Sequence, residues 1–325
     1  MSIHPGEAVV SFQDLQVRLG KNLVLKGLTA DVFEGATGLL GPNGAGKSTL
    51  LRTLLGFIRP TTGRTAIFGT DVSVSGVSSR QRLGYMPEHD ALVPGLTAVG
   101  LVAYMGRLAG LPKQDAFQRA HISLQYVGLE EARYRPVESF STGMKQRVKL
   151  AQALVHDPDL LLLDEPASGL DPKGRREMLD LIRDIAREKG ISVLLSSHLL
   201  PDVEYACNRV IVMNHGQIAA AGDISELKAL HQRYYEVRIK GDRAVFESAL
   251  NHAQIRPEWI QDHRFRVLLG PDQGSEILFR AAKESGSQLR HLVKQELTLQ
   301  EIFEKAIQET ENVRGKTQGP APTAS

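Results

Sequence analysis

The stretch GPNGAGKST at residues 41–49 decides the fold expected of this chain. It matches the pattern of Gly, four residues and Gly-Lys-Ser/Thr, whose glycines let backbone N–H groups turn toward phosphate oxygens. An apolar run at residues 37–40 precedes it, and residues 48–55 follow with leucines at helical spacing. This order predicts a strand, a phosphate-binding loop and a helix whose N-terminus also attracts the anion.

Every residue of this loop is expected to contact the phosphates of a nucleotide. Lys47 would add a full charge at the β- and γ-phosphates, and the Ser48 hydroxyl is a ligand for Mg²⁺. ATP and Mg²⁺ are therefore the predicted ligands. The alternative is a glycine-rich turn with a chance lysine, and the flanking strand and helix argue against it. The loop residues are Gly41, Pro42, Asn43, Gly44, Ala45, Gly46, Lys47, Ser48 and Thr49.

Two acidic residues follow a second apolar run, in the sequence LLLLDEP at residues 160–166. A strand buried on both faces would deliver Asp164 to the Mg²⁺ and Glu165 to an attacking water as general base. His198 follows the next predicted strand, from which its side chain can reach the γ-phosphate. A solvated acid pair and an ordinary core or surface histidine are the alternatives. The presence of the loop at residues 41–49 disfavours the interpretation of Asp164 and Glu165 as a solvated acid pair.

Strands alternate with helices up to about residue 230, which predicts a mainly parallel sheet. An antiparallel strand pair at residues 9–33 precedes the loop, and a mostly helical stretch at residues 84–155 follows it. After residue 230, alternating segments predict a small α+β domain with strands near 234–239, 264–269 and 289–293. Gly, Pro, Thr and Ser then dominate the end of the chain, which predicts a disordered tail.

Composition restricts the classes of function. Lys and Arg number 39 against 37 Asp and Glu, so the net charge of +2 gives no reason to expect nucleic acid as a partner. Cys207 is the only cysteine of the 325 residues, which suits a reducing compartment. We recognise no signal peptide in residues 1–10. The uncharged stretch at residues 91–106 is shorter than the ~20 residues of a membrane helix, so membrane partners are expected to be separate chains.

Five motifs in order resemble the nucleotide-binding domain of ATP-binding-cassette (ABC) transporters: GPNGAGKST, STGMKQR at 141–147, LLLLDEP, SGLDP at 168–172 and SSH at 196–198. The resemblance covers about residues 9–230. It implies a P-loop NTPase with a RecA-like core, an antiparallel β subdomain and a helical signature subdomain at about 88–157. The expected domains are a cassette at 7–230, an α+β domain at 231–310 and a tail at 311–325.

The resemblance also implies a homodimer with ATP between the two subunits. The loop at residues 41–49 of one subunit would face Ser141, Thr142 and Gly143 of the other, and Asp171 would link the two sites. A helix begins near Ser141, and a helix N-terminus is a site for anions. Without the family pattern, an ordinary capped helix would be the preferred interpretation of this segment.

Three positions depart from the commonest ABC pattern. The signature reads STGMK, Glu88 stands where many members carry glutamine, and Leu19 stands where an aromatic ring usually stacks on adenine. Glu88 is a further candidate Mg²⁺ ligand. The first two departures, and the segment at 297–303, resemble the exporters of the ABC-2 type. This implies transport, in the outward direction, through separate ABC-2 permease subunits, with the chain on the inner face of the cell membrane.

The apolar residues Leu92, Val93 and Leu96 are candidates for the permease contact, and the core of the helical subdomain is an equally good interpretation. A soluble ABC ATPase that acts on a non-transport partner is the main rival function. Such proteins usually carry two cassettes or a zinc or coiled-coil insert, whereas this sequence has one cassette and one cysteine. A GTPase would need an Asn-Lys-x-Asp motif to recognise guanine, and the sequence contains none. An inactive binding module is disfavoured by the presence of Lys47 and Glu165.

Overall fold

The computed structural model describes residues 7–73, 80–89, 92–231, 234–270 and 273–295. The described residues form two compact units that divide between Gly222 and Asp223. The predicted domain boundary at 230/231 stays a prediction. The exporter-like segment at 297–303, the helix expected from Thr298 and the predicted tail at 311–325 lie outside the described residues.

The first unit contains a four-stranded antiparallel sheet in the order β2-β1-β4-β5. The strand pair expected before the glycine loop is confirmed, since β1 and β2 pair antiparallel from Val10↔Val32 to Leu19↔Asn22. The other two strands follow the loop and have no clear alternation. The strands are β1 (Val10–Leu19), β2 (Asn22–Val32), β4 (Thr62–Ile67) and β5 (Thr70–Asp71).

A six-stranded sheet carries the glycine loop, in the order β10-β9-β3-β8-β7-β6. Neighbours from β9 to β6 run parallel. Every residue of β3, β7 and β8 is buried, as expected of strands covered on both faces. Residues 83–86 form β6, so the start of the stretch predicted as mostly helical is a strand. The strands are β3 (Ala36–Leu40), β6 (Leu83–Met86), β7 (Leu160–Asp164), β8 (Ser192–Ser197), β9 (Arg209–Asn214) and β10 (Gln217–Asp223).

The longest helix of the first unit, Pro172–Glu188, has clear local signals at both ends. In this helix, Asp171 accepts a hydrogen bond from the N–H of Gly174, Pro172 opens the first turn, and Gly190 follows the end with φ 65°. None of the helices in the described part of the chain has the length and apolarity to cross a bilayer. The helices are α1 (Lys47–Leu54), α2 (Ala98–Leu108), α3 (Lys113–Tyr126), α4 (Thr142–Leu154), α5 (Pro172–Glu188) and α6 (Leu200–Ala206).

The turn between β9 and β10 fixes the glycine loop from outside. His215 and Gly216 have φ of 48° and 79°, the positive pair that a tight two-residue hairpin turn needs. The Gly216 N–H donates to the carbonyl of Ala45 at 3.0 Å. A Cβ on Gly216 would lie 1.8 Å from the carbonyl oxygen of Val24, so only glycine fits there.

The second unit is a four-stranded antiparallel sheet with the helices Arg243–His252 and Glu276–Glu284 packed on one face, which confirms the small α+β fold. The sheet order is β12-β13-β11-β14, and the apolar core includes Val237, Phe246, Phe265 and Leu278. Strand β12 was not predicted, because Pro257–Gln261 shows only weak alternation. The elements are α7 (Ile224–His231), β11 (Tyr234–Lys240), α8 (Arg243–His252), β12 (Pro257–Gln261), β13 (Arg264–Leu268), α9 (Glu276–Glu284) and β14 (Gln288–Gln295).

The only cysteine of the chain provides a test of the first unit's packing. Burial raises the pKa of the Cys207 thiol from 9.0 to about 12. Because the thiolate is the reactive form, we expect the native protein at pH 8 to react about 1,000-fold more slowly with a disulfide reagent than the unfolded chain. The measurement is the rate of thiol release with and without denaturant, with glutathione as the control for the reagent. Equal rates in both conditions would show that Cys207 is not packed as described.

Candidate nucleotide-binding site

The loop between β3 and α1 turns its backbone around the start of the helix. Gly46, the residue before α1, has φ 104°, and a Cβ there would lie 2.7 Å from the Leu25 side chain. No side chain caps α1, and its first turn carries no acidic residue. The N-terminal N–H groups of α1 therefore face the loop without a competing carboxylate, which suits an anion.

Lys47 places a buried positive charge beneath this loop. Its side chain is 6% exposed, and Nζ donates to the carbonyl oxygens of Gly41 at 2.7 Å and Pro42 at 3.3 Å. Nζ also lies 3.4 Å from Glu165 Oε1. A buried charge is costly unless it is paired, so these oxygens hold the ammonium where a phosphate would meet it.

Asp164 ends β7 and lies beside the hydroxyl of Ser48, in the arrangement expected for a metal site. Its Oδ1 accepts hydrogen bonds from Ser48 Oγ at 3.1 Å and from Ser196 Oγ at 2.7 Å. Neighbouring oxygens around octahedral Mg²⁺ lie about 3 Å apart, so the first pair fits two adjacent ligands. The described residues contain no group of three His, Cys, Asp or Glu suited to a metal. Such an ion would therefore depend on water and phosphate for its other ligands.

Glu165 adopts a backbone conformation that is unusual for a side chain with a Cβ. Its φ is 49°, and such left-handed residues cost of order 1–3 kcal/mol. Its N–H donates to the Ser196 backbone at 3.2 Å and to the Ser196 hydroxyl at 3.0 Å, and its carbonyl accepts from the Ser168 N–H at 3.0 Å. These bonds hold the strained conformation, in which the carboxylate turns toward Lys47.

The Glu165 carboxylate has one oxygen bound and one without a hydrogen bond. Oε2 lies 2.9 Å from His198 Nδ1, and the imidazole is 38% exposed. Oε1 is buried, and no side chain or backbone group in the described residues donates a hydrogen bond to it. Its contact is the ion pair with Lys47. An acceptor of this kind, beside a phosphate loop, is suited to a water molecule.

Asp202 lies behind His198 and is buried. Burial raises the pKa of the Asp202 carboxyl, although the Arg175 guanidinium, 3.5 Å away, and a hydrogen bond from Ser197 oppose the rise. Nothing in the residue pattern indicated this acid, because it follows His198 at a spacing typical of an ordinary helix start.

Ser196 is the site residue that sequence reasoning missed. It lies in the SSH motif, of which the sequence assigns a role to His198 alone. Strand β8 lies between β3 and β7, and Ser196 pairs directly with Asp164 in the sheet. One hydroxyl therefore contacts both acidic residues. The strand order, which local patterns do not specify, brings them together.

The signature residues and Asp171 lie apart from Lys47. Ser141 caps α4 by accepting a hydrogen bond from the Met144 N–H at 3.3 Å, and Asp171 caps α5. Both are exposed, as is Thr142. No hydrogen bond or ion pair among the described residues joins them to the loop at residues 41–49. Within one chain they form a separate surface.

Glu88 and Leu19 are placed by neighbouring strands. Glu88 is half-buried and comes two residues after β6, whose Met86 pairs with Leu163 of β7. The buried Lys149 of α4 donates to the carbonyls of Pro87 and Glu88, both at 2.8 Å, which fixes the backbone there. Leu19 ends β1 and is 44% exposed. Neither side chain has a contact that assigns it a ligand.

Comparison with known proteins identifies the family. Residues 25–168 match the ABC transporter family. The bacitracin transport ATP-binding protein BcrA of Bacillus licheniformis is 33% identical over 303 residues, 92% of this chain and 97% of that protein. The chain belongs to the ABC transporter ATP-binding proteins. The five ordered motifs thus indicated the correct family.

Other ABC transporter ATP-binding proteins are similar over shorter stretches. The YxlF protein of Bacillus subtilis strain 168 is 42% identical over 194 residues, 60% of this chain and 63% of that protein. The Nod factor export ATP-binding protein I of Burkholderia lata is 38% identical over 216 residues, 66% of this chain and 71% of that protein.

A solved structure confirms the fold of the first unit. The ATP-binding cassette MJ0796, a dimer bound to ADP and Pi, matches with a TM-score of 0.61 at 24% identity. The match covers 66% of this chain and 98% of that chain. The expected P-loop NTPase fold is therefore correct.

The contact of the Ser196 hydroxyl with both Asp164 and Glu165 can be tested with a matched serine as control. We expect Ser196→Ala to raise the Mg²⁺ concentration needed for half-maximal ATP binding by about 10–100-fold, the usual effect of removing a hydrogen bond to a metal ligand. Ser192→Ala, in the same strand and equally buried, is the control. Fluorescence titration of an ATP analogue at several Mg²⁺ concentrations measures this dependence for both variants. Identical Mg²⁺ dependence in the two variants would remove Ser196 from the site.

Proposed function

We propose that this chain hydrolyses ATP and drives export through separate transmembrane subunits of the ABC-2 type. The observation that carries the proposal is the cluster of the buried Lys47 and Glu165 with the exposed His198, beside the Ser48–Asp164 pair. It combines a phosphate-binding charge, a carboxylate oxygen that accepts no hydrogen bond, and a pair of oxygens suited to a metal. The name of BcrA, a bacitracin transport protein, supports transport, and the name of the Nod factor export protein supports the outward direction.

The Glu165 carboxylate acts as the general base in this proposal. It accepts a proton from water as the water oxygen bonds to the γ-phosphorus, and the bond from that phosphorus to the bridging oxygen breaks, which gives ADP and phosphate. His198 orients the carboxylate through its Nδ1 contact. Lys47 and the start of α1 stabilise the negative charge of the phosphates. Mg²⁺, held by Ser48 and Asp164 with Glu88 as a further candidate, would neutralise charge on the phosphate oxygens.

The proposed active form is a head-to-tail homodimer. Ser141, Thr142 and Gly143 open α4 on an exposed surface, apart from the Lys47 cluster of the same chain. The start of a helix is an anion site, so this surface is suited to the γ-phosphate bound by a second subunit. Asp171 then lies at the interface. The dimeric state of MJ0796 supports this arrangement.

The membrane partner is proposed to dock on the apolar groove between α2 and α3. The groove has a volume of about 590 Å³ and is lined in part by Leu96, Tyr104 and Phe117. Tyr104 is 46% exposed and Phe117 50%, and Val93 is exposed as well. Exposed aromatic side chains in a groove are typical of protein contacts. The partner would hold the chain at the inner face of the membrane.

Replacing the proposed base tests the mechanism. We expect Glu165→Gln to lower the rate of ATP hydrolysis by about 10²–10⁴-fold, because the amide cannot accept the proton. The variant should also remain dimeric in ATP and Mg²⁺ on size-exclusion chromatography, since ATP stays bound. Glu188→Gln, at the exposed end of α5, is the matched control.

Two results would contradict the mechanism. Equal hydrolysis by wild type and Glu165→Gln would exclude Glu165 as the base. A variant that stays monomeric in ATP would contradict the sandwich dimer. If wild type is inactive alone, the comparison is repeated with inside-out membrane vesicles that contain the transporter's membrane subunits.

A tyrosine substitution tests the docking groove. We expect Tyr104→Asp to reduce co-sedimentation with those vesicles at least about tenfold, because a charge in an apolar contact must be desolvated. Tyr134→Asp is the control, since Tyr134 is also exposed, at 53%, but does not line the groove. Undiminished binding of Tyr104→Asp would place the partner elsewhere. Circular dichroism verifies that both variants fold.

A further inference from the structure

The second unit has a sheet face that its helices do not cover with apolar side chains. On β11, Val237 and Ile239 are buried in the core, while Glu236 and Arg238 alternate to the other side. On β13, Phe265 is in the core and Arg264 lies on the open side. The open face therefore carries charged side chains.

Basic residues on this open face lie directly opposite one another. Arg238 pairs in register with Arg264 on one side and with His291 of β14 on the other. Neighbouring strands are about 4.8 Å apart, and like charges directly opposite destabilise a sheet. The pairing between β11 and β14 shifts register after Arg238, and this shift brings Arg290 to the same end of the row as His291. A negative charge near this row would relieve the repulsion between its guanidinium groups.

The protein supplies only part of that negative charge. Glu236 forms an ion pair with Arg264. Asp262 lies 3.8 Å from Arg243, which is outside the row. In the described ranges, no carboxylate forms an ion pair with Arg238 or Arg290.

Arg238, Arg264 and Arg290 line a concavity of about 890 Å³, together with His263, His291 and the carboxylates of Glu236 and Asp262. Sites for small molecules have volumes of about 300–1,000 Å³. Guanidinium groups bind phosphate oxygens through two parallel hydrogen bonds, and two unmatched guanidinium groups balance a dianion. We propose that the concavity around Arg238 and Arg290 binds a small molecule that carries two adjacent phosphate groups.

The shape and lining favour a small phosphorylated molecule over a polymer or a membrane. The described lining residues include no Phe, Tyr or Trp, so among them there is no ring on which a nucleic-acid base could stack. A flat lipid surface would contact protruding basic residues, whereas these line a hollow. This site shares no residue with the proposed ATP site.

The experiment uses the full chain with Lys47→Ala, which removes the main phosphate-binding charge of the other site. Calorimetric titration with inorganic pyrophosphate is expected to show one site. Adding Arg238→Gln and Arg290→Gln should weaken it at least about tenfold, because two charged hydrogen-bonding groups are lost. Arg280→Gln with Lys283→Gln, exposed on α9, is the control pair and should leave the affinity unchanged.

Three further measurements distinguish a two-phosphate site from a general anion site and from a membrane contact. Arg238→Lys keeps the positive charge but cannot form two parallel hydrogen bonds to a phosphate, so we expect an intermediate loss of pyrophosphate affinity. Inorganic phosphate should bind more weakly than pyrophosphate, and equal affinity would refute the two-phosphate requirement. Absence of binding, or equal loss in the control pair, would overturn the proposal. If the chain sediments with phosphatidylglycerol vesicles but does not bind pyrophosphate, the proposal is also overturned, in favour of a membrane contact.

Discussion

The buried ammonium of Lys47 is the constraint on which the first unit's site depends. A charge that is taken out of water must be compensated by nearby oxygens, and here two loop carbonyls and Glu165 compensate it. The loop must therefore curl, which needs Gly46 in a left-handed conformation. Strand β7 must end at the same level, so that Glu165 reaches the ammonium. The parallel sheet meets both requirements because the carboxyl ends of its strands share one edge.

Much of this arrangement was predictable because the decisive signals are local. The strand, loop and helix around Lys47 are adjacent in sequence, and the apolar run before Asp164 marks a buried strand by composition alone. Ser196 was not predictable in its role, since its contact with Asp164 follows from β8 lying between β3 and β7. The roles expected of Ser141 and Asp171 stay predictions, because they require a second copy of the chain. Strand β12 escaped detection because five residues carry too little alternation.

Whole-chain averages conceal the charge distribution that matters for recognition. A net charge of +2 over 325 residues is close to neutral, and it gives no reason to expect a general attraction to polyanions. The same average permits a local excess of guanidinium groups on one sheet face of the second unit. It also permits a buried cation beside two buried acids in the first unit. In both places, the register and order of strands, rather than composition, decide which charges meet.

The left-handed backbone of Glu165 sets fold stability against activity. Glycine or asparagine tolerates such a φ more readily than glutamate does, so the backbone at this position disfavours the residue that the chemistry uses. Selection of variants for heat tolerance alone would then be drawn toward replacing it, as often happens where a site stores strain. A thermostable descendant of this protein would need its gains from other positions to keep turnover.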